Sequence, residues 1–120
     1  MKYDWYNENS KLFMSRGYFS SENETIEDRI AAISREVGKE YESKEIEHFV
    51  KEYLEEGYYV APTPFWSNYA TTRGSAVSCF NSHFPDDTMG ILTAVAEVGA
   101  MCKIGGGTSG YYGDIRTEGS

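Results

Sequence analysis

The densest run of residues able to do chemistry is Gly105-Gly106-Gly107-Thr108-Ser109-Gly110, four glycines in six positions. Such a run exposes consecutive N–H groups and lets a ligand lie against the backbone. A phosphate-cradling loop is one reading; a flexible helix cap and turn is the plainer one. The run lacks the lysine of a Walker A loop. It also precedes a strand-like stretch instead of opening a helix, the wrong order for a dinucleotide fingerprint. Cys79 lies in the strand-like segment Ser78-Cys79-Phe80-Asn81, and Cys102 on the apolar stripe of a helix. A buried thiol usually serves as a small hydrophobe, and the pair has neither CxxC spacing nor a neighbouring base. Cys79 and His83 can share a strand face, but two ligands do not complete a metal site. His48 reads as an exposed helix residue, and two histidines leave no Ser-His-Asp arrangement to argue. Thr63, between Pro62 and Pro64, and the segment Thr71-Thr72-Arg73-Gly74-Ser75 supply hydroxyls and one cation. Loops of that kind bind ligands in α/β proteins and also make ordinary turns.

The elements that must hold these residues follow from periodicity. Ile26, Ile30, Ile33 and Val37 make one apolar stripe and predict a helix over 26–37. Thr25 can cap its start, and Gly38 stands where a left-handed cap would end it. A second helix is predicted over 44–56, between Ser43 as N-cap and Gly57 as stop. Ile46, Phe49, Val50, Tyr53 and Leu54 form its expected buried face; Glu47, Lys51, Glu52, Glu55 and Glu56 point outward. Tyr58 to Ala61 can form a short extended piece. Pro62-Thr63-Pro64 then keeps the backbone out of the helical region. A strand is expected over 75–80, with Val77 and Cys79 on one face. A third helix is expected over 89–103, with Ile91, Leu92, Val95, Val98 and Cys102 as its stripe, and a second strand over 111–115. Strand, crossover helix and strand in this order predict a parallel α/β unit. One such unit leaves sheet edges unpaired and is not a complete domain.

The chain has 120 residues, enough for one domain at the small end of the range. Ten tyrosines, six phenylalanines and two tryptophans give it a modest core. Eleven Lys and Arg against 19 Asp and Glu leave a net charge of −8, which argues against an electrostatic grip on nucleic acid or an anionic membrane. No apolar stretch approaches the roughly 20 residues of a bilayer span. The start has neither the basic nor the apolar region of a signal peptide, and two cysteines make no disulfide scaffold. A reducing cytoplasm is the expected setting. Composition divides the chain into a helical segment, 1–60, and a Gly-, Ser- and Thr-rich segment, 61–120, with the strands, the crossover helix and the glycine loop.

Read together, these pieces resemble something specific. Pro62-Thr63-Pro64, Arg73-Gly74-Ser75, Ser78-Cys79-Phe80, Asp86-Asp87-Thr88-Met89, the run from Gly105 to Gly110 and Gly113-Asp114-Ile115-Arg116 resemble, in order and spacing, the catalytic (large, alpha) subunit of ribonucleotide reductase. Leu12-Phe13-Met14-Ser15-Arg16-Gly17-Tyr18 extends the likeness over nearly the whole chain. The resemblance implies an α/β fold: N-terminal helices plus the first strands of a ten-stranded barrel that this chain does not complete. It also implies radical replacement of the ribose 2′-hydroxyl by hydrogen. In that family a thiyl radical takes the 3′-hydrogen, and two further cysteines supply the reducing equivalents and become a disulfide. Cys79 matches the first of that reducing pair. Thr63 and Ser78 match positions that touch substrate, and Gly106 and Gly107 a segment whose backbone lies against it. Asp87, Thr88 and Arg116 match the allosteric site, where a deoxynucleoside triphosphate selects the base to be reduced.

The departures shape the expectation as much. The Asn-x-Cys-x-Glu motif of the radical cysteine, the second reducing cysteine, the tail cysteines and the N-terminal ATP-binding cone have no counterpart here. The resemblance therefore implies an N-terminal fragment, inactive alone and completed by a chain carrying the rest of the subunit. No cofactor or metal is expected in this chain. The radical would come from a metal-bearing small subunit or adenosylcobalamin, and the reductant would be thioredoxin or glutaredoxin. A non-enzymatic nucleotide-binding or regulatory module, built on the glycine loop and Asp87, is the alternative. A small interaction protein with a helical face is the third.

Overall fold

A computed structural model describes all residues from Met1 to Ser120. In chain order the elements are α1 (Glu8–Met14), α2 (Ile26–Glu40), α3 (Lys44–Glu56), α4 (Thr63–Asn68), β1 (Cys79–His83), α5 (Thr88–Lys103) and β2 (Gly107–Tyr111). They group into two compact units, Met1–Ala76 and Val77–Ser120. Segment 61–76, which composition groups with the strands, belongs to the first unit, because α4 carries Trp66 into the helical core.

In the first unit, α2 packs against α3. Ile26, Ile30 and Ile33 are buried with Met14, Leu54, Ala61 and Trp66, so the expected isoleucine stripe is the core. Thr25 and Asp28 form a reciprocal capping box at the start of α2. Ser43 caps α3, and Gly57 ends it with φ 76°. Gly38 does not end α2; the helix continues to Glu40. Gly38 is buried, and a Cβ there would lie 2.6 Å from the Cβ of Glu47 on α3. Its role is to let the two helices approach. Gly to Ala in a helix normally gains about 1 kcal/mol. Here Gly38→Ala is expected instead to cost about 1–3 kcal/mol by overpacking, read as a lower unfolding midpoint; a midpoint that rises would refute the close approach.

Three further expectations are corrected. Pro62-Thr63-Pro64 opens α4 instead of excluding helix, because proline is tolerated in a first turn, where its missing N–H costs nothing. Phe49 and Tyr53 are exposed, not core, and their rings lie 4.0 Å apart on the outside of α3. Glu55 is buried, because the N-terminal segment folds over it. Lys2 Nζ reaches Glu55 Oε2 at 2.5 Å, Tyr3 OH donates to Oε1 at 3.1 Å, and Trp5 Nε1 donates to the Glu55 carbonyl at 3.1 Å.

Burial alone pushes the Glu55 carboxyl up. The hydrogen bonds from Lys2 and Tyr3 and the charges of Lys2 and Lys51 outweigh it and hold the group below its usual value. The native state thus favours the ionised form. Its contribution is complete above the ordinary glutamate value of 4.5 and is lost as pH falls through the lower native value. The unfolding midpoint is expected to drop in that acid window, and Glu55→Gln to flatten part of the drop. A Gln variant with an unchanged acid profile would contradict this.

Candidate functional site

In the second unit β1 and β2 form a parallel two-stranded sheet joined by α5, the expected crossover arrangement. The strands sit later and earlier, respectively, than periodicity placed them. β1 runs Cys79–His83, and β2 is the glycine-rich run itself, not 111–115. The turn chemistry belongs to Gly105, with φ 90°. From Gly107 onward the backbone is extended and pairs with β1 along one edge. Neither a free phosphate loop nor a flexible cap describes it.

The register pairs Cys79 with Gly107, Phe80 with Thr108, Asn81 with Ser109, Ser82 with Gly110 and His83 with Tyr111. Alternation then sorts the side chains onto two faces. Phe80, Ser82, Thr108 and Gly110 are covered to differing degrees, and α5 lies on their side, with Cys102 Sγ 3.4 Å from Thr108 Oγ1. Cys79, Asn81, His83, Gly107, Ser109 and Tyr111 occupy the other, exposed face. The two thiols are thus free and exposed, on opposite faces of the sheet. Cys102 is not the core residue its place on the helix stripe predicts: α5 buries only Ala94.

Four of the expected site residues come together here. The Gly107 N–H donates to the Ser78 carbonyl at 2.6 Å, which fixes Gly107 beside the start of β1. Ser78 Oγ lies 4.0 Å from Cys79 Sγ. The Gly106 N–H donates to the Met101 carbonyl at 3.0 Å, and any Cβ on Gly106 would strike the Phe80 ring. The result is a thiol opposite a bare backbone, with no side chain on Gly107 to block a ligand from either.

Farther along the unit, Asp87 caps α5, its Oδ1 accepting from the Gly90 N–H at 2.7 Å, and Thr88 is the first helical residue. Arg116 reaches Asp86 instead: its Nε donates to Asp86 Oδ2 at 2.7 Å and its Nη2 to the Asp86 carbonyl at 3.1 Å. Asp86 is therefore a member of this cluster that periodicity could not single out, because adjacent aspartates differ only in which one caps the helix. His83 Nε2 also sits 2.7 Å from Asp114 Oδ2, with the Tyr111 ring stacked at 6.0 Å. Only the fold pairs those residues. Thr63 lies in the first unit, at the start of α4, with its hydroxyl 2.7 Å from that of Tyr18. No three His, Cys, Asp or Glu side chains gather into a metal-binding group. No helix is long and apolar enough to cross a membrane.

The chain resembles known proteins along nearly all of its length. It is 28% identical over 109 residues to the ribonucleoside-diphosphate reductase subunit alpha of two Helicobacter pylori strains, 26695 and J99, covering 91% of this chain and 12% of each relative. Among solved structures it matches the Actinobacillus ureae class Id ribonucleotide reductase alpha subunit at TM-score 0.87 and 40% identity, over 99% of this chain and 23% of that one. No protein-family profile matches the chain. It thus spans about an eighth to a quarter of the length of the proteins it matches.

Proposed function

Since this chain is a relative of ribonucleotide reductase alpha subunits in both sequence and fold, we propose that it forms one part of such a subunit's catalytic barrel. Its substrate is a ribonucleoside diphosphate, in keeping with the curated relatives' name. β1 and β2 are neighbouring strands of the barrel, and the exposed face that carries Cys79 turns toward the substrate. The observation that carries this reading is the pairing of Cys79 with Gly107 on that face, held by the bond from Gly107 to Ser78.

In this assignment a thiyl radical from the remainder of the subunit takes the ribose 3′-hydrogen. Cys79 gives a proton and an electron as the 2′-hydroxyl leaves as water. A second cysteine, also in the remainder, gives the other electron and proton; C2′ gains a hydrogen, the two sulfurs end as a disulfide, and the radical cysteine returns the 3′-hydrogen and is a thiyl radical again. A strand suits this role, because a thiol fixed on a rigid ladder needs no rearrangement to meet the leaving hydroxyl. The backbone at Gly106 and Gly107 and the Ser78 hydroxyl line the sugar; Thr63 is assigned to substrate on its family resemblance alone. A thioredoxin- or glutaredoxin-type dithiol reopens the disulfide, and a radical-generating, metal-bearing small subunit starts the cycle. Asp87, Thr88 and Arg116 hold a deoxynucleoside triphosphate effector, with Asp86 beside them through its bonds with Arg116.

The test is ribonucleotide reduction by the alpha subunit assembled with this chain, its small subunit and a dithiol reductant. Deoxynucleotide formation that depends on this chain supports the reading. If the chain instead binds triphosphate tightly on its own and adds nothing to turnover, it is a regulatory nucleotide-binding module.

A further inference from the structure

The Thr63 hydroxyl is held by a residue from a distant part of the chain. Tyr18 OH and Thr63 Oγ1 lie 2.7 Å apart across 45 positions of sequence. Tyr18 is well placed to act as a fixed post. It is half-buried against the helical core, its N–H donates to the Met14 carbonyl at 3.0 Å, and its ring lies 5.5 Å from that of Phe13. Thr63 is exposed, and its carbonyl accepts from Ser67 Oγ at 3.0 Å, so its backbone is fixed as well.

A phenol is a stronger proton donor than an aliphatic hydroxyl, so the favoured direction is Tyr18 donating to Thr63. That choice leaves the Thr63 proton free, and accepting one hydrogen bond makes a hydroxyl a better donor of the next. It also removes the rotational freedom that a surface threonine otherwise keeps. The pair thus presents one aimed O–H donor, suited to a phosphate or sugar oxygen.

We infer that Tyr18 is a positioning residue for ribonucleotide binding, acting through the Thr63 hydroxyl; the inference rests on the assignment of Thr63 to the substrate. Tyr18 does not touch the reacting atoms, so its loss weakens substrate binding and spares the chemical step.

The experiment is steady-state kinetics of nucleoside diphosphate reduction by the assembled reductase, comparing Tyr18→Phe, Thr63→Val, Thr63→Ser and Tyr18→Phe combined with each Thr63 variant. Tyr18→Phe removes one oxygen and keeps the ring. It is expected to raise KM about fivefold, with kcat within about twofold of the parent, the size of effect one hydrogen bond carries. Thr63→Val is expected to raise KM at least as much, and adding Tyr18→Phe to it should raise KM no further. Thr63→Ser keeps the hydroxyl and should stay near the parent, while Tyr18→Phe added to Thr63→Ser should again raise KM. An unchanged KM in Tyr18→Phe, alongside a raised KM in Thr63→Val, overturns the role of Tyr18 and leaves that of Thr63. The same fold rise in the presence and absence of the Thr63 hydroxyl also overturns it. A Tyr18→Phe subunit that no longer assembles would make the bond a structural tie and end the proposal. An unaffected Thr63→Val would remove the substrate assignment itself.

Discussion

On the role proposed for Cys79, Cys79→Ser is expected to bring multiple turnover in the assembled alpha subunit down to background, a loss of about 10³-fold or more, because a serine oxygen cannot be oxidised to a disulfide. The geometry makes this a clean substitution. Cys79 is exposed at the start of β1, unbonded to any other cysteine, and faces away from α5. Serine there creates no cavity and strands no buried partner, so folding and assembly should be unchanged. Deoxynucleotide formation with the physiological dithiol is the readout, with the unfolding midpoint as the control for integrity. Cys102→Ser is the matched comparison. Its sulfur lies on the helix side of the sheet beside Thr108, and its removal should leave turnover near the parent value. Full activity in Cys79→Ser would take the thiol out of the reaction. Equal losses in the two variants would show that the two faces of the sheet do not differ as the register implies.

Arg29→Met should be the most destabilising single change in the first unit, costing about 3 kcal/mol. Each hydrogen bond from a charged group carries roughly 1.5–3 kcal/mol, and an abandoned buried acceptor keeps its desolvation penalty. Arg29 is 1% exposed. Its Nε donates to the Trp66 carbonyl at 2.7 Å, its Nη2 donates to the Tyr69 carbonyl, and Glu24 Oε1 is 3.9 Å from Nη1. Burial pulls the guanidinium below its usual pKa and Glu24 pushes back, but arginine stays charged across the accessible range. The carbonyls it serves belong to the last turn and cap of α4, which the helix cannot satisfy internally. Methionine keeps the apolar stem and isolates the loss of the charged head. Both tryptophans, Trp5 and Trp66, lie in this unit, so fluorescence-detected urea unfolding reports on it specifically. A cost below about 1 kcal/mol would mean that the carbonyls find other partners.

What periodicity and capping chemistry encode, the sequence determined alone. Ile26, Ile30 and Ile33 form the core, Ser43 and Gly57 bound α3, and a crossover helix after Asp87 joins two parallel strands. These are local properties: a stripe needs only its own spacing, and a cap only its own turn. The likeness to reductase alpha subunits was also legible, because several short motifs in order constrain far more than any one of them.

Tertiary structure decided whatever depends on a second segment. Gly38 reads as a stop signal until α3 is seen pressing on it, and Glu55 reads as solvated until the N-terminal segment covers it. The glycine run reads as a loop because glycine disfavours strands; pairing with β1 overrides that weak local preference. Phe49 and Leu92 sit on apolar stripes yet are exposed, because a stripe marks what a helix can bury, and within this chain too little surface packs against it to bury it all. The contacts among the candidate site residues are likewise distant in sequence: Arg116 with Asp86, Tyr18 with Thr63, Gly107 with Cys79. Side-chain types along a chain state what chemistry is available, and only the folded register states which of those groups meet.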